Sequence, residues 1–295
     1  MTEQIGTDIL FVINPGAGTG NEDWPQIITT YFASSGKRIA FFHLPPGCKQ
    51  QVLAENIQRL HPGQVVAVGG DGTLRLVASC LLQTNILLGI LPAGSANGMA
   101  KELGISNLPE EALAVIAAGF CTKIHVTQIN NQLCIHLSDI GFNAYAMKGF
   151  ETQHRRGMWG YVKACLRVWW KNPMMEIDLL INEHKFTEKA AMIVIANATT
   201  YGSGAVINPI GKLDDGLFEV IVIKKISIRE LWKMTFSHAP YDLAKTALFQ
   251  TSSLVMRSKR KVYFQVDGEY LGMVREVKAG ILKDALDIIV PEKKK

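Results

Sequence analysis

Carboxylates stand beside glycine at two points of the chain where their types and spacing could do chemistry. The first is Gly69-Gly70-Asp71-Gly72-Thr73, directly after an apolar run at 65–68. Glycine lets the backbone approach a ligand closely, and a helix that begins there would present N–H groups that suit a phosphate. Asp71 could hold a cation beside that phosphate. An ordinary glycine-rich turn with an N-capping aspartate explains these residues equally well, so the loop alone leaves both interpretations open.

The second point is Asp267-Gly268-Glu269, near the C-terminal end of the sequence. On an extended segment, side chains two residues apart point to the same side, so the two carboxylates should lie close together. A carboxylate within hydrogen-bonding reach of a reacting group can accept its proton. The pair is therefore a candidate for proton transfer.

The first part of the chain alternates apolar strand-like runs with helix-like segments. Strands are predicted at 8–14, 37–43, 65–68 and 86–91, and helices at 24–35, 48–60, 74–82, 96–103 (with Ser95 as N-cap) and 109–118. This alternation predicts a doubly wound parallel sheet, in which ligands bind beyond the C-terminal ends of the strands. Three loops of small residues fall at such ends, at 14–20, 69–73 and 92–97. Their agreement favours a phosphate site over an ordinary turn.

The pattern changes after Gly119 to short strands joined by hairpin-like turns such as Asn130-Asn131 and Asn182-Glu183. The predicted strands are 123–129, 132–137, 176–181, 184–188, 191–196, 217–223 and 261–266. They indicate an antiparallel β domain. We therefore expect an α/β protein whose nucleotide-binding domain spans 1–125 and whose antiparallel β-sandwich domain for the substrate spans 126–295. The last residues could pack back on the first domain.

The composition is that of a folded protein, with 48% hydrophobic residues and a net charge of +5 over 295 residues. Strands with interleaved aromatic and basic residues are absent from the pattern, so we expect no nucleic-acid partner. The five cysteines form no CxxC pair, which predicts buried free thiols in a reducing compartment. The N-terminus lacks a signal-peptide pattern, and no apolar run approaches the ~18 residues of a membrane span. We therefore expect a soluble, cytoplasmic protein.

Five motifs, in their order and spacing, resemble the diacylglycerol kinase catalytic-domain family, which includes bacterial soluble lipid kinases and sphingosine kinases. The motifs are Asn14-Pro15-Gly16-Ala17-Gly18, Gly69-Gly70-Asp71-Gly72-Thr73, Leu91-Pro92-Ala93-Gly94-Ser95-Ala96-Asn97, Leu213-Asp214-Asp215-Gly216-Leu217 and Val266-Asp267-Gly268-Glu269. The second motif alone is shared with NAD kinases, whereas its pairing with the third and the last is more specific. The resemblance covers nearly the whole chain.

The resemblance implies ATP- and Mg²⁺-dependent phosphorylation of a lipid hydroxyl, on a diacylglycerol or a sphingoid-like alcohol. Glu269 matches the family's general base, and Asp267 would orient it or a nearby water. Magnesium would neutralise the triphosphate near Asp71. The positions that match nucleotide-binding residues of the family are Asn14, Pro15, Gly16, Ala17, Gly18, Gly69, Gly70, Asp71, Gly72, Thr73, Leu74, Arg75, Ser95 and Asn97.

In the family, a structural magnesium ion sits at the turn that matches residues 213–217. Its ligands here would be the Asp215 carboxylate and the backbone carbonyls of Lys212 and Leu217, and oxygen ligands suit a hard cation. A hairpin turn closed by an Asx hydrogen bond is the other interpretation of these residues. The chain departs from the family where Gly98 and His125 stand at positions that are acidic in many members, although His125 is also an ordinary residue for a strand.

Residues 158–171 predict an amphipathic helix with aromatic and basic side chains. Such a helix either packs on the core or touches a membrane or an acyl chain. The resemblance implies a lipid substrate, and we leave open both a peripheral contact with the inner membrane and a homodimer. Two other functions also stay open. One is a soluble-substrate kinase of the NAD kinase type, and the other is an inactive nucleotide- or lipid-binding module, which Gly98 and His125 would explain.

Overall fold

The computed structural model describes residues 7–17, 22–151, 166–168, 170, 174–200, 206–226 and 245–292. It divides into two compact units, one made of Met1–Ile124 with Asp284–Lys295 and the other of His125–Lys283. Gly18 and most of the predicted amphipathic helix at 158–171 lie outside the described residues. Among the described residues, none of the helices combines the length and the apolar character needed to cross a membrane.

The first unit is a parallel sheet covered by helices. Its strands β1 (Ile9–Ile13), β2 (Ile39–His43), β3 (Gln64–Gly69) and β4 (Leu87–Pro92) lie side by side in the order β2-β1-β3-β4. The end of a late strand, β14 (Glu269–Ile289), adds to β4 in parallel where Ile288 pairs with Leu88. All five residues of β1 are buried, as expected of a strand covered on both faces.

The helices of this unit are α1 (Trp24–Phe32), α2 (Gln50–Leu60), α3 (Asp71–Leu81), α4 (Gly98–Glu102) and α5 (Pro109–Ala118). α3 packs on β3 and against α2, while α5 packs on β4 and against α1. The predicted doubly wound parallel sheet is confirmed. The bounds of α4 differ from the prediction of a helix at 96–103, because the chain at Asn97 adopts a left-handed conformation that the helix cannot include.

The second unit is an antiparallel sandwich. One layer has the order β12 (Thr246–Thr251), β11 (Phe218–Ile223), β10 (Met192–Ala196), β7 (Leu137–Gly141). The other contains β9 (His184–Ala190), β8 (Met175–Ile181), β13 (Ser253–Val266) and most of β14. β13 links the two layers, because residues 254–258 pair with β8 and residues 264–266 pair with β7. Among the described residues, the remaining strands are a short hairpin of β5 (Cys121–Ile129) and β6 (Gln132–Cys134).

Apolar side chains from both layers fill one core, which includes Ile177, Ile193, Phe218, Met256 and Phe264. The opposite face of β10 and β11 carries a second apolar cluster that includes two residues of α6 (Phe142–Glu151). Burial on both faces explains why every residue of β10 and β11 is buried. The predicted antiparallel sandwich is confirmed.

The two predicted hairpin turns are also present, because Asn130-Asn131 and Asn182-Glu183 both have positive φ at each residue. That conformation is the type I′ turn that matches the twist of a two-residue hairpin. The prediction missed α6, β7, β12 and β14. It was also wrong on one thiol: Cys134 is buried and Cys48 and Cys80 are partly buried, but Cys121 is exposed, while all four are free.

Candidate functional site

Asn14 joins the loop after β1 to the loop after β3. Its side-chain Nδ2 donates to Thr73 Oγ1 at 3.0 Å, and its Oδ1 accepts the Gly16 N–H at 3.0 Å. Its own backbone N–H donates to the carbonyl of Val68. The first loop (residues 14–17, loop 1) is therefore held by one amide side chain to the glycine loop at 69–73 (loop 2).

Asp71 joins loop 2 to the start of α4, the helix that directly follows the loop after β4, residues 93–97 (loop 3). Although it is the first residue of α3, its carboxylate makes no capping bond to that helix. Oδ2 instead accepts the Gly98 N–H at 2.9 Å, and Oδ1 accepts the Met99 N–H at 3.1 Å. These are the first two N–H groups of α4, so Asp71 caps a different helix from the one that the glycine-rich turn suggested.

Three glycines of loops 2 and 3, Gly69, Gly70 and Gly94, are required by close packing rather than by positive φ. A Cβ at Gly69 would lie 2.4 Å from Thr73 Oγ1, and a Cβ at Gly94 would lie 2.5 Å from the Cα of Gly70. None of these three glycines has a positive φ. The two loops therefore touch through their backbones, which only residues without a side chain allow.

Asn97 shapes loop 3, and Ser95 does not cap α4 as predicted. Asn97 has φ 50° and ψ 48°, is buried, and bonds with its side chain to both the N–H and the carbonyl of Gly94. Its Nδ2 also donates to Asn107 Oδ1 at 3.0 Å. Because α4 begins only at Gly98, Ser95 stays outside the helix with an exposed side chain.

The predicted nucleotide-binding residues divide into a buried support and an exposed rim. Gly69, Thr73, Leu74 and Asn97 are buried, whereas Asn14, Ala17, Gly70, Asp71 and Arg75 are partly buried and Pro15, Gly16, Gly72 and Ser95 are exposed. The structure thus brings the three loops together beside the N-terminus of α3. A helix of 11 residues that starts among glycines offers N–H groups and a positive dipole end, which together suit phosphate.

The segment that holds the acidic pair is a turn, not the extended segment assumed from its sequence. Val266 pairs with Glu269, and Asp267 and Gly268 form the two-residue turn between β13 and β14 with φ of 48° and 84°. Oxygens of the Asp267 carboxylate accept the N–H groups of Ile135, at 3.0 Å, and His136, at 3.0 Å. Asp267 therefore fastens the turn to the chain after β6, while Glu269 begins β14 with an exposed side chain.

Asp139, a buried residue that the sequence analysis did not predict as part of the site, supports the same turn through Gln265. The Asp139 carboxylate accepts from the side-chain amides of Asn143 and Gln265. Gln265 Oε1 in turn accepts the Gly268 N–H at 2.8 Å. Asp139 lies in β7, a strand that was not predicted, and only its acidic character within an apolar run could have drawn attention to it.

The turn at 213–217 is closed by its own hydrogen bonds and by His125. Asp215 Oδ1 accepts the Leu217 N–H at 3.0 Å, which is the Asx turn left open above. The Gly216 N–H donates to His125 Nδ1 at 3.2 Å, and the His125 N–H donates to the Leu213 carbonyl at 2.8 Å. The pKa of His125 is lowered because burial outweighs the nearby Asp215 and Asp214 carboxylates, which raise it.

These contacts do not fit a resident magnesium ion. Magnesium prefers about six oxygen ligands at short range, and the turn offers two exposed carboxylates, those of Asp214 and Asp215, of which the second already accepts a backbone N–H. The other two expected ligands, the carbonyls of Lys212 and Leu217, are neutral. In the part of the chain that the structure describes, no three side chains of His, Cys, Asp or Glu gather into a group that could hold a metal.

Comparison with protein families gives two matches that together cover most of the chain. Residues 8–129 match the diacylglycerol kinase catalytic domain. Residues 138–290 match the YegS C-terminal NAD kinase beta sandwich-like domain. The two matches follow the α/β unit and the sandwich in order, and the second spans more than half of the chain.

Individual relatives are distant in sequence. A probable lipid kinase, YegS-like, of Chromohalobacter salexigens is 26% identical over 81% of this chain and 80% of its own length. A solved structure of a putative diacylglycerol kinase from Bacillus anthracis has a TM-score of 0.76 at 18% identity, over 97% of this chain and 95% of that one. An NAD kinase of Archaeoglobus fulgidus, solved in complex with ATP, has a TM-score of 0.58 at 12% identity, over 97% and 94%. Both solved structures share this fold.

Proposed function

We propose that this chain, which belongs to the diacylglycerol kinase catalytic-domain family, transfers the γ-phosphoryl group of ATP to a hydroxyl group of a lipid. Membership of the family makes the chain a phosphotransferase. The lipid acceptor, the roles of the site residues and the use of magnesium are our inference. The observation that carries the proposal is the junction of three small-residue loops beside the N-terminus of α3.

The loop junction supports a nucleotide site because it is preorganised. Asn14 holds loop 1 to loop 2, and Asp71 holds the start of α4, directly after loop 3, to loop 2, through side-chain bonds of 2.9 to 3.1 Å. A triphosphate needs several N–H donors in fixed positions, and flexible glycine loops would lose affinity on ordering. Magnesium that arrives with ATP would supply charge neutralisation on the phosphates. We assign it to the nucleotide and to no side-chain site of the chain.

Glu269 is our candidate for the general base. In the transfer, the lipid oxygen forms a bond to the γ-phosphorus, the bond from that phosphorus to the bridging oxygen breaks, and ADP leaves. The proton of the hydroxyl passes to the Glu269 carboxylate, which is exposed and stands at the start of β14. Asp267 and Gln265 fix the turn from which Glu269 projects, so they act as positioning residues.

Exposed apolar residues close to Glu269 support a lipid acceptor. Leu271 and Met273 follow on the same strand and are 37% and 42% exposed. Leu271 is the extra residue of a β-bulge, because the pairs Gln265–Tyr270 and Phe264–Gly272 flank it. Apolar surface beside a proposed base suits an acyl chain better than a soluble nucleotide.

Transfer of labelled phosphate from ATP to a panel of lipids and to NAD tests the proposal. Glu269→Gln should lower kcat by about 10²- to 10⁴-fold and leave ATP affinity unchanged. Glu183→Gln is the matched control, since Glu183 is also an exposed acid at a type I′ hairpin of the same unit, and it should keep full activity. Equal transfer by wild type and Glu269→Gln would refute the base. Labelled phosphate on NAD and on no lipid would establish the soluble-substrate kinase. ATP binding without turnover would establish the inactive binding module.

Membrane contact is tested separately. Trp170, in the predicted amphipathic segment, is 84% exposed. Trp170→Glu should reduce co-sedimentation with anionic vesicles, because a charge replaces an interfacial aromatic side chain. Leu108→Glu is the control, since Leu108 is 60% exposed and lies in the other unit. Unchanged binding of Trp170→Glu would remove this residue from any membrane contact.

A further inference from the structure

His125 occupies a buried position with two bonds to the turn at 213–217. Its side chain is only 2% exposed. Nδ1 accepts the Gly216 N–H at 3.2 Å, and the backbone N–H donates to the Leu213 carbonyl at 2.8 Å. The residue therefore holds the turn at both its beginning and its centre. The sequence alone did not distinguish this role from that of an ordinary strand histidine.

The hydrogen bond at Nδ1 determines the chemical state of the ring. A nitrogen that accepts a hydrogen bond carries no proton, so the neutral ring has its proton on Nε2. A protonated nitrogen cannot bind a metal, which removes His125 as a ligand while the turn is in this conformation. The imidazole thus gives the turn a fixed, uncharged acceptor at a position where many family members carry an acid.

A path of hydrogen bonds leads from His125 to the turn that carries Glu269. Asn197 Nδ2 donates to the carbonyls of His125, at 3.1 Å, and Ile135, at 3.0 Å. The Ile135 N–H donates to Asp267 Oδ2 at 3.0 Å. Both His125 and Asn197 are buried, so water does not compete for the two bonds that Asn197 donates. The path stays within the second unit.

We propose that His125 is a positioning residue that holds the turn at 213–217 in place of a bound cation and, through Asn197 and Asp267, fixes the position of Glu269. The first half of this proposal is independent of the proposed function. The second half rests on it, because it takes Glu269 to be the base. The magnesium requirement of the enzyme would then come from the nucleotide alone.

Thermal unfolding without nucleotide tests the first half. Wild type should unfold at the same temperature in magnesium and in EDTA, because no resident cation stabilises the turn. His125→Asp places a third carboxylate beside Asp214 and Asp215, and its unfolding temperature should rise with magnesium concentration. A wild-type unfolding temperature that rises with magnesium as steeply as that of His125→Asp would overturn the inference. Calcium, added in parallel, should repeat the pattern.

A pair of amide substitutions tests the second half. In His125→Asn the side-chain oxygen is as many bonds from the backbone as Nδ1 is, so it can accept the Gly216 N–H. In His125→Gln the oxygen lies one bond further out and loses that partner. The kcat of His125→Gln should fall about tenfold below that of His125→Asn, the effect of one hydrogen bond, while the KM for ATP stays the same in both.

Equal kcat values for the two folded amide variants would refute the positioning role. A rise in the KM for ATP in His125→Gln would also refute it, because the path would then serve the nucleotide. Circular dichroism and thermal unfolding of both variants establish that they are folded. If wild type transfers phosphate to no acceptor, the proposed function fails and the second half fails with it, whereas the magnesium experiment still decides the first half.

Discussion

The two hydrogen bonds that Asp71 accepts from the start of α4 allow a test of whether its carboxylate is structural or binds a ligand. Asp71→Ala removes the acceptor of two backbone N–H groups, those of Gly98 and Met99. Losing an N-cap typically costs about 0.5–2 kcal/mol. Because two bonds to a charged acceptor are lost here, we expect a loss near the upper end, about 2 kcal/mol.

Hydrogen exchange and calorimetry measure the two consequences. The Gly98 and Met99 amide hydrogens should exchange faster in Asp71→Ala. The increase should reach about 30-fold if the free energy of local opening at these residues falls by the whole ~2 kcal/mol. ATP affinity should fall by no more than the same factor, since the loop must be re-ordered when the nucleotide binds. Asp23→Ala is the control, because Asp23 caps α1 through the Gln26 N–H. It should destabilise α1 and leave ATP affinity unchanged.

One result would refute this reasoning. If Asp71→Ala lost ATP affinity while the Gly98 and Met99 amides kept their wild-type exchange rates, Asp71 would act on the nucleotide or its magnesium directly. Asp71→Asn sharpens the comparison, because the amide keeps one acceptor and turns a donor toward the second N–H. Its exchange rates should lie near those of Asp71→Ala.

Three further predictions concern residues of the α/β unit. Gly69→Ala should lower the unfolding free energy by about 1–3 kcal/mol in urea titration, since its Cβ would collide with Thr73; unchanged stability would contradict the packing argument. Burial raises the pKa of Cys80 to about 11, so its thiol should resist alkylation at pH 8 until the protein unfolds. Hydrogen bonds from Arg38 lower the pKa of Asp8 from 3.8 to about 2, so their stabilisation is present above pH 3.8 and disappears as the pH falls through 2. The difference in melting temperature between wild type and Asp8→Asn should therefore vanish toward pH 2.

The α/β unit was predictable because its elements are regular and separately marked. β3 and β4 are short apolar runs, and α5 begins with a proline and ends at Gly119 in a left-handed conformation. The sandwich was predictable mainly at its hairpins. β14 was missed because seven charged residues among its 21 interrupt the apolar pattern. Its pairing with β13 stabilises it, and the hairpin signal of Asp267-Gly268 was missed because that segment was interpreted as extended.

In the candidate site, too, the sequence predicted local features but not contacts between residues far apart in the chain. The loops were found because a parallel sheet gathers the ends of its strands. The hydrogen bonds of Asp71 were not predicted, because their partners lie 27 and 28 positions further along the chain. The expected orientation of Asp267 failed for a related reason. A two-residue spacing predicts a shared side only on an extended strand, and Asp267-Gly268 is a common sequence for a type I′ turn.

Three acidic motif residues, all of them aspartates, share a structural use that side-chain length explains. Asp71, Asp215 and Asp267 each accept backbone N–H groups. An aspartate has a short side chain that readily bonds nearby or closely packed backbone, so its carboxylate is used in building the loop. Glu269 has one more methylene and projects from a turn that Asp267 already holds. Its longer, exposed side chain is better suited to reach an incoming hydroxyl. Substituting Glu269 should consequently affect turnover with little effect on stability, whereas substituting any of the three aspartates should affect stability first.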